Sequence, residues 1–277
     1  MLQLQIWENI PLYENFYHLC DDMVKLMAVL NLTPDSFFES SRVWTGSCDS
    51  SAAMVRIGEL LRQGADIIDL GAVSTRPGAE PVTLEEEWRR LEPVLRALRD
   101  GIGGVEFSID TTRSEIVRRA HDVLGRFIVN DISAGEDDPG MLPLVAELGL
   151  PFVAMHKRGG PQTMDLLCDY PRGVLSELLS YFADFERRAS AFGVREWILD
   201  PGLGFAKTDA QNWEILENLQ QLQVFGRPVL VGAADKRFTR AWSRSAGGVS
   251  AGGPGGTAVA NALAIIHGAS ILRCHFR

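Results

Sequence analysis

The sequence predicts a single-domain α/β protein whose parallel strands close into a (β/α)8 (TIM) barrel. From Leu26 onward, a short apolar and β-branched run is followed by a loop and then by a longer amphipathic stretch, and this order repeats along the chain. Nearly continuous apolar strands that alternate with helices indicate a parallel sheet covered by helices. Eight strand candidates favour closure into a barrel, with an open doubly wound sheet as the alternative.

The strand candidates are short and mostly apolar. In chain order they are LMAVLNL, DIIDLGA, VEFSIDT, RFIVNDI, PFVAMH, EWILDP, PVLVGA and SILRCHF. The helical candidates between them include SAAMVRIGELLRQGA, TLEEEWRRLEPVLRAL, TRSEIVRRAHDVLG, MLPLVAELG, RGVLSELLSYFADFERRASAFG, DAQNWEILENLQQL and TAVANALAIIHG. Several of these stretches end at a glycine, which is typical of a helix stopped by a left-handed residue. The glycine-rich run AGGVSAGGPGG after the seventh strand is interpreted as a flexible connection.

The two ends of the chain lie outside this repeating pattern. Residues 1–25 are interpreted as an N-terminal extension ahead of a barrel that would span residues 26–277. Arg277 comes right after the eighth strand candidate, so we expect the barrel to lack the helix that usually follows that strand.

Composition excludes several classes of protein. Apolar residues make up 46% and charged residues 23% of the 277 residues, which is the balance of a globular protein with a full core. The net charge of −9 argues against a general nucleic-acid binder. No apolar run approaches the length of a membrane span, and the first residues do not have the pattern of a signal peptide. The four cysteines are scattered without C-x-x-C spacing, so reduced thiols in the cytoplasm are the simplest interpretation.

Polar side chains follow all eight predicted strands, which is where (β/α)8 barrels carry their active sites. A single Asp after a strand is more often a helix cap or a turn residue, but capping explains eight such strand ends less well. A carboxylate at a core position also implies a partner, because an unpaired buried charge is costly. The polar strand ends are Asn31; Ser74 to Gly78; Asp110; Asn130 and Asp131; Met155 and His156; Asp200 to Phe205; Lys236; and Arg273 with His275.

These side chains suit a flat heterocycle that carries an anionic group. Carboxylates and amides accept paired N–H donors, and Asp can do so in a bidentate way. Lys236 would donate to ring acceptors, while Arg76, Arg273 and His275 would bind an anion such as phosphate. Taken singly, the arginines could form surface ion pairs and His275 could be an ordinary strand-end residue; their convergence favours a function. The chain has neither a Walker-type loop nor a G-x-G-x-x-G fingerprint.

Seven motifs, in order and with matching spacing, resemble the dihydropteroate synthases, a branch of the pterin-binding family. They are LNLTPDSF, STRPGAEPV, SIDT, NDIS, MHKRG, LDPGLGF and LRCH. The first two motifs are specific to that branch, and the resemblance runs from about Leu26 to the C-terminus. It implies a TIM barrel that joins 6-hydroxymethyl-7,8-dihydropterin pyrophosphate to p-aminobenzoate and releases pyrophosphate. It also implies Mg²⁺ as the cofactor and a homodimer as the working form.

The resemblance assigns roles to individual positions. The catalytic residues would be Asp110, Asp200 and Lys236. The pterin pocket would comprise Asp110, Asn130, Met155, Asp200 and Lys236; the pyrophosphate site Asn31, Thr75, Arg76, Arg273 and His275, with Asn31 also near the metal; and the aminobenzoate pocket Phe37, Pro77, Phe205, Lys236 and Arg237.

The reaction class fits these residue types. Loss of pyrophosphate from the exocyclic methylene would leave a cation delocalised into the pterin ring, which nearby carboxylates stabilise. Mg²⁺, arginine and histidine would stabilise the leaving group. An aromatic amine is nucleophilic enough to need no strong base, and the sequence has no Ser-His-Asp arrangement.

The chain departs from the family pattern after the seventh strand, where it reads GAADKRF. Ala234 stands where serine is usual and Asp235 where arginine is usual, although Lys236 is kept. Asp235 could disturb the position of Lys236, or pair with a neighbouring cation and cap the next helix. In the second-strand loop, Val73 replaces a common acid.

Two other functions stay open at this level. A methyltetrahydrofolate-type methyltransferase would share the barrel and floor residues but lack the NLTPDSF loop. A non-catalytic pterin-binding homologue would bind the pterin without turnover. In the synthase interpretation, NLTPDSF forms a mobile lid in which Phe37 supplies a wall for the aminobenzoate ring, and this pocket also needs the STRPG loop.

Overall fold

The computed structural model describes residues 24–33, 50–73, 82–101, 104–160, 162–245 and 255–276. Eight parallel strands form one sheet in the order β6-β5-β4-β3-β2-β1-β8-β7. The strands are β1 (Lys25–Asn31), β2 (Ile67–Gly71), β3 (Glu106–Asp110), β4 (Ile128–Asp131), β5 (Phe152–Met155), β6 (Trp197–Asp200), β7 (Leu230–Val231) and β8 (Ile271–Cys274). The predicted barrel and all eight strand candidates are therefore confirmed.

The barrel closes between β6 and β7. An isolated parallel bridge joins Leu199 to Val229, the residue before β7. The Leu199 N–H donates to the carbonyl of Pro228 at 2.9 Å. Elsewhere each strand has a continuous ladder with its neighbour, for example five paired positions between β1 and β2. The sheet is thus a barrel with one narrow seam, which runs between the strands that carry Asp200 and lead to Lys236.

Helices alternate with the strands and cover the outside of the barrel. They are α1 (Ser50–Arg62), α2 (Leu84–Gly101), α3 (Ser114–Leu124), α4 (Met141–Leu148), α5 (Val174–Phe192), α6 (Asp209–Glu217), α7 (Arg237–Ser245) and α8 (Gly255–Ile266). Within the described ranges, none of the helices is both long and apolar enough to cross a lipid bilayer.

Two helical predictions need correction. The stretch DAQNWEILENLQQL is not one helix: α6 ends at Glu217 and a 3-10 helix follows over Leu219–Phe225. The break falls at Asn218, whose side chain donates to the Glu214 carbonyl and closes the last turn. Helix α7 was not predicted, because only nine residues form it and its stability comes from packing: the Phe238 ring contacts Trp213 of α6 with centroids 5.2 Å apart.

Alternation along the strands divides the core into two layers. Side chains of one parity face the helices, as Ala28, Ile68, Ile109 and Leu199 do in the large outer core. Side chains of the other parity meet inside the barrel. That inner layer consists of Met27, Ile67, Ile128, Val153, Ile198, Leu230 and Ile271. It fills the lower half of the barrel, so ligands can enter only from the C-terminal end of the strands.

Two glycine-to-alanine changes test how closely α7 and α8 pack. A Cβ at Gly256 would overlap the carbonyl oxygen of Thr239, whereas a Cβ at Gly58 within α1 meets nothing within 4 Å. We expect Gly58→Ala to raise the free energy of unfolding by about 0.5–1 kcal/mol, because alanine loses less backbone entropy in a helix. Gly256→Ala should lower it, since the helices must separate. Urea denaturation measures both, and a stabilised Gly256→Ala protein would contradict the packing.

Candidate active site

A polar layer lies directly above the apolar inner layer. Along each strand, the residue two positions beyond an inner apolar residue points into the barrel in the same way. Five strands place such a residue in the polar layer, one level above an inner apolar residue of the same strand. They are Asp69 above Ile67, Asn130 above Ile128, Met155 above Val153, Asp200 above Ile198 and Arg273 above Ile271. Polar side chains from separate strands therefore converge on the C-terminal end of the barrel, where enzymes of this fold bind substrates.

Arg273 of β8 is the centre of this layer. Its Nε donates to Asp69 Oδ2 at 2.7 Å, and its Nη2 donates to Asp110 Oδ2 at 2.9 Å. Asn130 Nδ2 lies 3.3 Å from Asp69 Oδ2, which extends the network to β4. One guanidinium thus connects β8, β2 and β3 across the barrel interior, a task for which its planar fork of donors is suited.

Burial changes the acid–base properties of this network. It raises the pKa of Asp110 to about 7, a shift that Arg273 opposes and the neighbouring Asp69 adds to. Burial also disfavours the charge on Arg273, but Asp69 and Asp110 outweigh that effect and raise its pKa. Asp110 can therefore change protonation near neutral pH while Arg273 stays charged.

Asp200 and Lys236 form the second part of the polar layer. Asp200 Oδ1 accepts the Gly202 N–H at 2.7 Å, and burial raises the pKa of this carboxyl, although Lys236 opposes the shift. Burial lowers the pKa of Lys236 to about 8, against the attraction of Asp200. The Lys236 ammonium lies 4.5 Å from the centre of the Phe205 ring, a cation–π contact at the edge of the site.

Gly71 leaves room for the groups at the end of β1 to β3. A Cβ at this position would lie 3.3 Å from Asn31 Oδ1 and 3.6 Å from Asp110 Cβ. Asn31 pairs with Gly71 in the sheet, and Gly71 pairs with Asp110. The glycine thus allows the amide of Asn31 and the carboxylate of Asp110 to approach each other.

A cavity of about 430 Å³ opens beside Asp110. Its volume is that of a small-molecule pocket. It is lined by Val73, Glu87, Asp110, Thr111, Thr112, Arg113, Ile132, Glu136, Asp137, Lys157, Gly159 and Gly160. The loops after β2, β3, β4 and β5 all contribute, and Asp110 is the residue of the polar layer that this cavity reaches.

The structure brings most of the predicted floor residues together. Asp110, Asn130, Met155, Asp200, Lys236, Phe205, Asn31 and Arg273 all lie at this end of the barrel. His275 is exposed, just beyond β8. Arg237 is exposed and its guanidinium lies 3.3 Å from Asp165 and 3.7 Å from Asp209. Phe37, Thr75, Arg76 and Pro77 lie outside the described residues.

Two residues of the polar strand ends have other roles. Asp131 is fully buried and accepts hydrogen bonds from the Ser133 N–H and hydroxyl and from the Gly135 N–H, so it shapes the turn after β4. His156 is also buried, and its ring packs edge-on against Tyr181 with centroids 4.8 Å apart. For Asp131 the turn interpretation is therefore the better one.

Two carboxylates at this end of the barrel are not among the residues predicted from the sequence. Asp69 stands in the middle of the apolar run DIIDLGA and carries the same signal as the acids in SIDT and NDI. Glu87 is 1% exposed, accepts a hydrogen bond from Thr111 at 2.6 Å and pairs with Arg113 at 2.6 Å. Glu87 stands in a run of three acids, so nothing local distinguishes it from its exposed neighbours.

Fold and site together define a TIM-barrel enzyme that binds a polar heterocycle at the barrel floor. Residues 27–275 match the family described as Pterin binding enzyme, and the chain belongs to that family. Two similar relatives are dihydropteroate synthases. That of Synechocystis is 42% identical over 77% of this chain and 72% of its own length; that of Mycobacterium leprae is 38% identical over 91% and 88%.

A solved structure agrees with these relatives. The dihydropteroate synthase of Xanthomonas albilineans with 4-aminobenzoic acid has a TM-score of 0.77 and 33% identity to this chain. The match covers 92% of this chain and 88% of that one.

We expect Asp69→Asn to destabilise the protein more than removal of a surface charge. The change removes the buried charge that holds Arg273, so the free energy of unfolding should fall by about 2 kcal/mol. Glu106→Gln is the matched control, because the Lys25–Glu106 pair is exposed and worth less than about 1 kcal/mol. Urea denaturation compares the two. Equal losses would show that Arg273 does not depend on Asp69.

Proposed function

We propose that this protein catalyses the dihydropteroate synthase reaction. It condenses 6-hydroxymethyl-7,8-dihydropterin pyrophosphate with p-aminobenzoate to give 7,8-dihydropteroate and pyrophosphate. The observation that carries the proposal is the polar layer itself, in which Asp110, Asn130 and Asp200 lie beside Lys236 and Arg273 in a pterin-binding barrel. Similarity to synthases across nine-tenths of the chain supports the same reaction.

The pterin ring binds on the polar layer at the C-terminal end of the strands. Asp200 accepts hydrogen bonds from the edge of the pterin ring, and the amide of Asn130 both accepts and donates hydrogen bonds there. Met155 supplies an apolar surface between them. Lys236 donates to a ring acceptor. As the methylene loses pyrophosphate, Asp110 and Asp200 stabilise the positive charge that spreads into the ring, because both are fixed before the reaction begins.

The aminobenzoate enters beside Phe205 and Lys236. The Phe205 ring, which contacts the Lys236 ammonium, offers a surface on which the aminobenzoate ring can stack. Arg237, at the start of α7, supplies a cation for the carboxylate if it exchanges Asp165 for the substrate. Phe37 and Pro77 complete the pocket in this proposal, and the amine then attacks the methylene without a strong base.

The leaving pyrophosphate lies toward β1 and β8. Arg273 and His275, with Thr75 and Arg76, are the proposed binding groups. The amide oxygen of Asn31 is a hard ligand that suits Mg²⁺, and among the described residues no cluster of three or more acidic, histidine or cysteine side chains could hold a metal. This donor set fits an ion carried mainly by substrate phosphates, with Asn31 as its protein ligand. Bound Mg²⁺ would neutralise the pyrophosphate; chelation followed by Mg²⁺ addition tests the requirement.

We also propose a cytoplasmic homodimer. Two observations support it. Ile265 and Ile266 of α8 are 36% and 51% exposed, so a subunit contact through this helix would remove two adjacent apolar side chains from water. Cys168 and Cys274 are free thiols, as expected in a reducing compartment. Light scattering after size exclusion measures the mass; a monomer at micromolar concentration would contradict the dimer.

The test of the reaction is formation of dihydropteroate and pyrophosphate by the purified protein with both substrates and Mg²⁺. Asp200→Asn should lower kcat/KM about 100-fold, because one preorganised charge beside the reacting group is lost. Glu196→Gln is the control, because Glu196 is exposed and lies immediately before the start of the same strand; this variant should keep wild-type kinetics. Pterin binding without product would favour the non-catalytic homologue, and methyl transfer from a folate would favour the methyltransferase.

The pH dependence should report Lys236. Its pKa is lowered to about 8, so the ammonium is present below that value and is lost as the pH rises through it. We expect kcat/KM for the pterin substrate to fall above pH 8. In Lys236→Arg the guanidinium does not titrate, so the alkaline fall should disappear even if the absolute rate is lower. Steady-state kinetics from pH 6 to 10 measure both profiles; an unchanged alkaline limb in the variant would assign it to another group.

A further inference from the structure

Lys207 is a buried lysine that the proposed reaction does not use. Its side chain is 1% exposed. The ammonium donates to the carbonyl oxygens of Gly202 and Phe205, both at 3.0 Å, and lies 2.9 Å from His156 Nδ1. Three partners match the three N–H donors of an ammonium group. His156 follows β5, and Gly202 and Phe205 follow β6, so Lys207 joins the loops after these two strands.

The loop that Lys207 holds is tightly constrained. Residues 201–206 link β6 to the segment before α6, and they contain three positive φ angles: 66° at Gly202, 78° at Gly204 and 50° at Ala206. A Cβ at Gly202 would overlap the carbonyl oxygen of His156. Ala206 adopts a left-handed conformation that costs a non-glycine residue energy. Interactions outside the loop must therefore keep it in this shape.

Both sides of the active site depend on this loop. At its start, the Gly202 N–H donates to Asp200 Oδ1, which fixes the carboxylate. Near its end, the Phe205 ring lies under the Lys236 ammonium. The two carbonyls that Lys207 binds belong to these same two residues, Gly202 and Phe205. Displacing the ammonium would remove one hydrogen bond from each carbonyl, and the Gly202 carbonyl would keep the Phe205 N–H, which donates to it at 3.1 Å.

We propose that Lys207 is a positioning residue that sets Asp200 and the Phe205 ring in register for the two substrates. The inference rests on the proposed function and adds to it a residue that touches neither substrate. Lys207 acts through the peptide groups of the loop, so its loss should alter substrate positioning more than overall folding.

His156 completes the arrangement as an acceptor. Burial, together with the Lys207 charge, lowers the pKa of His156 to about 2, so the ring is neutral. Burial lowers the pKa of Lys207 to about 7, although Asp200 attracts its charge. A neutral imidazole has one acceptor nitrogen, and Nδ1 facing the ammonium fits that role. Tyr170 supports the same loop from another side, because its hydroxyl donates to the Ala206 carbonyl at 2.8 Å.

Lys207→Met tests the inference, because methionine keeps an unbranched apolar stem of similar shape and removes all three donors. We expect KM for aminobenzoate to rise at least fivefold, because Phe205 is no longer fixed, and kcat to fall at least tenfold. Hydrogen exchange of residues 201–206, followed by mass spectrometry on the free protein, should become faster. Val145→Ala, in the outer core on α4, is the control: it should lower the melting temperature and leave both kinetic constants unchanged.

The outcomes separate this inference from the proposed function. Kinetic constants within twofold of wild type in a folded Lys207→Met protein would overturn the inference, even with a lower melting temperature. If that variant does not fold, Tyr170→Phe decides: a threefold rise in the aminobenzoate KM supports the inference and wild-type kinetics overturn it. An inactive wild-type protein would refute the proposed function, while loop exchange would still test whether Lys207 holds residues 201–206.

Discussion

The charged layer around Arg273 is the constraint on which the rest of the site depends. A guanidinium and two carboxylates lie inside a barrel whose lower half is filled with aliphatic side chains. Such charges are tolerable only when they are paired and hydrogen-bonded. Arg273 therefore has to remain between Asp69 and Asp110, and this requirement fixes the relative height of β8, β2 and β3. Strand register and the arrangement of the binding site are two consequences of the same ion pairs.

Burial moves the pKa values of Asp110 and Lys236 toward neutrality, and the ion pairs oppose that shift. A floor that has to bind a neutral heterocycle and then stabilise a cation needs acids that are ionised but weakly solvated. Burial raises the pKa of Asp110 to about 7, so this carboxyl is partly ionised near neutral pH and Arg273 favours its charged form; burial shifts the pKa of Asp200 in the same direction. Without partners, these buried carboxylates would destabilise the fold. Opposite charges on Arg273 and Lys236 keep them in place and leave them reactive toward developing positive charge.

Much of this organisation could be predicted from sequence, because it follows from the two-residue period of a strand. The eight strands were recognisable from their apolar runs, and Asp110, Asn130 and Asp200 stood out as polar residues at strand ends. Asp69 carried the same signal. Lys207, Glu87 and helix α7 could not be found in this way. A buried lysine and a buried glutamate have the same local sequence as exposed ones, and their burial is decided by elements far away along the chain.

The seam between β6 and β7 gives the barrel a preferred direction of compliance. One bridge joins these strands in the part of the chain that the structure describes, while the other neighbours pair at two to five consecutive positions. Asp200 ends one side of the seam and Lys236 follows the other. A small opening of the wall would thus change the spacing between the two side chains proposed to bind the pterin, whereas Asp69 on β2 and Asp110 on β3 lie across the barrel from the seam.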